Sequence, residues 1–180
     1  MKFQRDASPT VEIHPDALQY IRNLAAASIE HETGGILVGF NSGRDINIVL
    51  ASDAGPNAQR SAAHFLRDTD YCRKFLAEQY ANNGADYVGE WHSHVMSLRR
   101  LSSGDLQTLA GLFVDPDYDF LTFAIVLVVV DKGAIELHVY IAERGNDKRR
   151  VSLCITELYR GSFPTTSASA CQYRPARRCL

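Results

Sequence analysis

Three absences narrow the choice of class for this 180-residue sequence before any motif is considered. There is no excess of basic charge: 19 Lys and Arg face 21 Asp and Glu, a net charge of −2 with neutral histidines. A nucleic-acid surface needs a positive footprint, so no nucleic-acid partner is expected. Nor is there a long apolar run. The longest, Phe120 to Val130, falls well short of the roughly 20 residues that a membrane-spanning helix requires. The start, Met1-Lys2-Phe3-Gln4-Arg5-Asp6, is polar and no apolar stretch follows it, so no secretory leader, no membrane partner and a soluble cytoplasmic protein are expected. Paired cysteine spacing is also missing. Cys72, Cys154, Cys171 and Cys179 suggest neither a disulfide framework nor a closed cysteine zinc site. Cys72 and Cys154 lie in amphipathic or apolar contexts and are expected as small buried hydrophobes. Cys171 and Cys179 look incidental, and Cys179 is too near the end to fit a prenylation box.

What remains is an ordinary globular mixture, 46% hydrophobic and 22% charged, long enough to bury the core of one domain. Pro15 and Asp16 suit the first turn of a helix, and Leu18, Ile21, Leu24, Ala25 and Ile29 recur at helical spacing. Ile36 to Phe40 reads as a buried strand, turned by residues 41–45 into a second strand, Ile46 to Ala51. A helix is predicted from Ala62 or Phe65, with Phe65, Cys72, Leu76 and Tyr80 as its inner stripe and Asn82-Asn83-Gly84 as its end. Asp86 to His92 reads as a strand. Ser102 to Phe113 reads as a helix with Leu106, Leu109, Ala110 and Phe113 inward. Phe120 to Val130, nearly all apolar, is predicted as a central strand covered on both sides. Asp131-Lys132-Gly133 turns it into Ile135 to Ala142, whose alternation buries one face. Residues 144–150 form a charged connection and Val151 to Tyr159 a last strand. The expected fold class is α/β (α+β), a mixed β-sheet flanked by helices, in one domain over residues 1–160. Residues 161–180 have little to bury and are expected as a flexible tail.

The chemistry is concentrated in His92-Ser93-His94, followed after ten residues by Asp105. Side chains two apart on a strand share a side, so His92 and His94 can aim at one point while Ser93 faces away. Asp105, at the start of a helix, can fold back as a third ligand. Two imidazoles and a carboxylate leave one tetrahedral position open, as a catalytic zinc site requires. A histidine pair alone would also suit a wet strand face. Ser102, three residues before Asp105, fits a helix capping box. Glu90 lies on the side of the histidines and suits either an outer hydrogen bond to a ligand or an arginine partner. Trp91 reads as a core anchor. His14, His31, His64 and His138 have no ligand spacing, and Lys148-Arg149-Arg150 with Arg174, Arg177 and Arg178 read as solvated charge.

The full string, Gly89-Glu90-Trp91-His92-Ser93-His94 with Ser102-Ser103-Gly104-Asp105, resembles the signature of the JAMM (MPN-plus) metallo-isopeptidases. In that family His-x-His, a serine eight residues on and an aspartate three further recur in this order. An upstream glutamate at the edge of a glycine-rich strand matches Glu32 in Glu32-Thr33-Gly34-Gly35-Ile36-Leu37-Val38-Gly39. The resemblance runs from about Val11 to Ala142 and departs at Val95, where the family usually has proline. It implies a cytidine-deaminase-like sandwich with one Zn2+ per chain on His92, His94 and Asp105. It also implies Glu32 as general base and Ser102 as donor to the oxyanion. The stretch Pro56 to Asp68 is similar to compact bacterial members, often encoded beside ubiquitin-like modifiers and their E1- and E2-like enzymes, including in antiphage operons. The activity so implied is hydrolysis after the C-terminal glycine of a ubiquitin-like protein or its conjugates, by deconjugation or precursor processing. An amidase or peptidase acting on a sulfur-carrier protein or small amide stays open, as does a metal-free scaffold.

Overall fold

A single apolar strand, Thr122–Asp131, organises the molecule: nine of its ten residues are buried and its two faces feed two separate cores. Ala124, Val126, Val128 and Val130 point into one, Phe123, Ile125, Leu127 and Val129 into the other. Each such side chain contributes about 1.5–3 kcal/mol of burial, so the strand is held as tightly as any element here. The computed structural model describes residues 8–96, 98–145, 153–164 and 170–175. Lys148-Arg149-Arg150, Val151, Arg177, Arg178 and Cys179 lie outside the described residues.

In chain order the main elements are β1 (Val11–Ile13), α1 (Pro15–Ala27), β2 (Gly34–Ser42), β3 (Asp45–Ala51), β4 (Gln59–Arg60), β5 (Phe65–Leu66), α2 (Thr69–Asn83) and β6 (Asp86–His94). They continue with α3 (Ser103–Val114), β7 (Thr122–Asp131), β8 (Ala134–Arg144), β9 (Leu153–Ser162) and β10 (Cys171–Tyr173). Eight strands form one sheet in the order β10-β1-β3-β2-β6-β7-β8-β9, and β4 pairs only with β5. The sheet is mixed: β1 runs parallel to β3 and β6 parallel to β7, the other pairs being antiparallel. Helix α1 covers one face through Leu18, Ile21 and Ala25; α2 and α3 cover the other through Cys72, Leu109 and Phe113. The expected α/β class is thus met. Among the described residues no helix is long and apolar enough to cross a membrane.

Local chemistry explains most boundaries. Pro15 is at the start of α1 and His14 accepts the Asp16 N–H as its cap. Asp68 caps α2 through the Tyr71 N–H, and Gly84, at φ 73°, closes it in the left-handed region. Lys132 and Gly133, both at positive φ, make the tight β7–β8 turn.

Other expectations are corrected. Helix α2 begins at Thr69, because Phe65 and Leu66 pair with β4 instead; Phe65 is not on the inner stripe and Tyr80 is exposed. On α3, Leu106 and Ala110 face solvent while Leu109 and Phe113 are buried. The helix is apolar nearly all round, so periodicity could not pick its inner face. Helix α1 ends at Ala27 and leaves Ile29 outside it and exposed. Cys154 is exposed because β9 is an edge strand with one wet face. Within the stretch read as tail, β10 adds antiparallel to β1 and buries Tyr173, so Cys171 belongs to the sheet.

Candidate metal centre

The topology that delivers the histidines also delivers the aspartate. Parallel strands cannot be joined by a tight turn; α3 makes the crossover from β6 to β7, so its first turn starts just beyond the end of β6. Burial of Leu109 and Phe113 against Phe120, Phe123 and Ile125 fixes that helix to the sheet, with edge-to-face aromatic contacts among Tyr87, Phe113, Phe120 and Phe123. In the register, His92 lies beside Leu127 and His94 beside Val129, so both rings emerge on the face that α2 and α3 cover.

Three ligand atoms converge there. His92 Nε2 is 3.2 Å from His94 Nε2, 3.4 Å from Asp105 Oδ1, and His94 Nε2 is 3.5 Å from Asp105 Oδ2. A tetrahedral zinc with bonds of about 2.0–2.1 Å places its ligand atoms about 3.3–3.4 Å apart. Separations of 3.2–3.5 Å between these groups are of that size, and one ligand atom from each residue lies within 4.8 Å of the others, so the trio could hold a zinc-sized ion. No other group of three or more metal-ligating side chains occurs among the described residues. His94 Nδ1 faces the Leu98 carbonyl at 3.0 Å. A carbonyl carries no proton, so Nδ1 donates and Nε2 of the neutral ring keeps its lone pair for the ion.

Electrostatics agree with the placement. Burial alone would raise the Asp105 carboxyl, but hydrogen bonds from His92 and His94, their charge and the Ser102 N–H hold it far below the usual carboxylate range. Burial works against charging His94, yet contacts with Asp105 and the Leu98 carbonyl raise it above the ordinary imidazole value. Glu32 lies close enough to feel the charges of His94, His92 and Asp105, and burial is the largest influence pushing its carboxyl up. It is not one of the three converging ligands.

Glu32 is placed by a buried fastening that sequence reasoning missed. Ser93, facing away from the ion site as expected, is fully buried; its N–H donates to the Thr33 carbonyl (2.7 Å) and its Oγ accepts the Thr33 N–H (3.0 Å). The Glu32 N–H donates to the Ser61 carbonyl at 2.8 Å. Close approach also needs Gly34 and Gly35. A Cβ on Gly34 would strike the Trp91 carbonyl, and one on Gly35 the Ser52 carbonyl.

Ser102 takes the first of the two roles open to it from sequence, the helix cap. Its Oγ accepts the Asp105 N–H (3.1 Å) and Asp105 Oδ2 accepts the Ser102 N–H (2.6 Å), a complete capping box. Accepting leaves the hydroxyl proton itself to donate, and Ser102 lines the cavity beside the ion site. Ser102→Ala should lower stability by about 1 kcal/mol through the lost cap, measured by denaturant unfolding. A drop in kcat larger than any change in KM would assign the donor role as well; loss of stability alone would leave Ser102 as a cap.

Glu90 has an arginine partner: Arg67 pairs with it and the Tyr87 hydroxyl donates to it. Arg67 comes from the segment before α2, and Tyr87 reaches Glu90 along its own strand because β6 carries an extra residue, Val88, against β2, which strand alternation does not show. Trp91 is the expected core anchor, its indole N–H donating to the Ser52 carbonyl at 2.8 Å. Arg67, Glu90 and Trp91 help wall a cavity of about 600 Å³ that reaches from Glu32 and the two histidines past His64 and Phe65 to Arg67.

Comparison with known proteins adds the family. A model described as prokaryotic homologs of the JAB domain matches residues 14–150. The chain belongs to that family. The prokaryotic JAB fold seen here is also similar to the solution structure of a protein from Desulfitobacterium hafniense, at 18% identity and a TM-score of 0.58, over 82% of this chain and 88% of that one. A solution structure from Salinibacter ruber is 24% identical over 81% of this chain and 87% of that one, with a TM-score of 0.48. No curated protein matches the sequence. For this JAB domain the matched span contains all five positions singled out from sequence: Glu32, His92, His94, Ser102 and Asp105.

Proposed function

We propose that this JAB domain is a zinc-dependent hydrolase that cleaves the amide bond after the C-terminal glycine of a ubiquitin-like modifier. The observation that carries the reading is the convergence of His92, His94 and Asp105, with contacts of 3.2–3.5 Å between them, beside a carboxylate, Glu32, that lines the same cavity. Zinc held by His92, His94 and Asp105 would polarise the scissile carbonyl and lower the pKa of water to about 7.

The chain's own groups do the rest. Glu32 accepts the proton of the attacking water as its oxygen bonds to the carbonyl carbon. The same carboxyl then gives that proton to the departing nitrogen as the C–N bond breaks. The products are a carboxylic acid and an amine, and transfer of the acid's proton to the amine leaves a carboxylate and an ammonium, so every proton of the water is accounted for. Partial burial of Glu32, which raises its carboxyl, brings it nearer to the working range of a general base. The Ser102 hydroxyl donates to the carbonyl oxygen as it gains negative charge, a contact worth about 3–4 kcal/mol in comparable sites. The cavity, about 600 Å³, runs from the ion site past His64 and Phe65 to Arg67, and a chain end laid along it favours a modifier tail as substrate.

The test is a fusion of a ubiquitin-like protein ending in glycine, encoded near this gene, to a reporter. Zinc-loaded protein should release the modifier with its C-terminal glycine intact by mass spectrometry. An uncut fusion with folded, zinc-loaded protein would overturn the substrate assignment in favour of another amide.

A further inference from the structure

The segment between His94 and Ser102 holds one group of evident use to the metal centre, the Leu98 carbonyl that orients His94. Nothing in its sequence stiffens it. Residues 95–101 contain no proline, and Met96, Leu98, Arg99 and Arg100 are all exposed. Leu101 packs against the core under α2 and α3, but the exposed residues around Leu98 have no such anchor to keep its carbonyl on His94 Nδ1.

Arg99 supplies the missing restraint. Its Nε lies 3.1 and 3.0 Å from the two oxygens of Glu136, and its Nη2 lies 3.1 Å from Asp131 Oδ2. Both carboxylates stand on the paired strands β7 and β8, at the register Val129 to Glu136 and Asp131 to Ala134. One guanidinium therefore ties the residue next to Leu98 to the β7–β8 hairpin. A guanidinium fork suits two carboxylates at once; an ammonium does not.

We infer that Arg99 is a positioning residue for the metal centre, clamping the loop to Asp131 and Glu136 so that the Leu98 carbonyl holds His94 in its metal-binding orientation. The inference rests on the ligand assignment above and concerns a residue outside the ligand set. An isolated exposed ion pair contributes little to folding, so a purely structural role and a positioning role predict different outcomes.

The test uses the full chain, stripped of metal and titrated with zinc against a chromophoric chelator. Loss of an outer hydrogen-bonding partner of a metal ligand weakens binding by about 10–100-fold. Arg99→Ala should therefore lower zinc affinity about tenfold while the unfolding midpoint of the metal-free protein stays close to wild type. Arg99→Lys should recover part of that loss, and Asp131→Asn should produce a smaller one. The cobalt-substituted Arg99→Ala protein should show an altered visible spectrum, reporting changed geometry at the ion. Unchanged zinc affinity in Arg99→Ala beside a zinc-binding wild type would overturn the clamp alone. A wild type that takes up no zinc would overturn the clamp and the ligand set together.

Discussion

His92→Ala is expected to leave a folded protein that no longer retains zinc. If a zinc binding free energy of about 10–16 kcal/mol is divided among three or four ligands, each accounts for about 3–5 kcal/mol, or a hundred- to several-thousandfold in affinity. Asp105→Ala should do the same and cost more stability. Its carboxylate also accepts the Ser102 N–H at the start of α3, and the lost cap adds about 1 kcal/mol. Asp105→Asn separates the two effects, because an amide oxygen can still accept from Ser102 but carries no charge for the ion. Elemental analysis after gel filtration should find about one zinc per wild-type chain and almost none in His92→Ala or Asp105→Ala. Stoichiometric zinc in either alanine variant would remove that residue from the ligand set.

Glu32→Gln is expected to separate binding from turnover. Glutamine fills the same space and leaves His92, His94 and Asp105 in place, so zinc content and unfolding midpoint should match wild type. The amide cannot accept the water's proton, and kcat on the modifier fusion should fall by about 10²–10⁴-fold. Near-normal turnover would exclude Glu32 as the base. Loss of zinc together with activity would instead make it a ligand, contrary to its position outside the converging trio.

The parts of the site that could be read from sequence are those governed by local periodicity. His92 and His94 share a face because strand side chains alternate, and Ser102 with Asp105 form a capping box because Asp105 stands three positions after the cap. Glu32 was accessible only through family resemblance, since its neighbourhood comes from the Thr33–Ser93 bonds across 60 residues. The start of α2 was misplaced because Phe65 and Leu66 continue an apolar pattern that hydrogen bonding to β4 redirects. Strand β10 was invisible for a related reason: Cys171 and Tyr173 alternate inward over only three residues, too short a pattern to mark a strand, and their pairing with β1 and burial in the core are long-range.

By itself, the sequence determined the fold class, the central strand, the metal-ligand candidates and the absence of a net basic charge, all properties carried by residue type and short-range spacing. Tertiary structure decided the rest. Only the β6–α3–β7 crossover brings Asp105 onto the histidines, and only the packed sheet sets Arg67 against Glu90 and Arg99 against Asp131 and Glu136. Those pairings join groups from different elements. Their geometry follows from how two cores pack on one sheet, which a linear pattern does not encode.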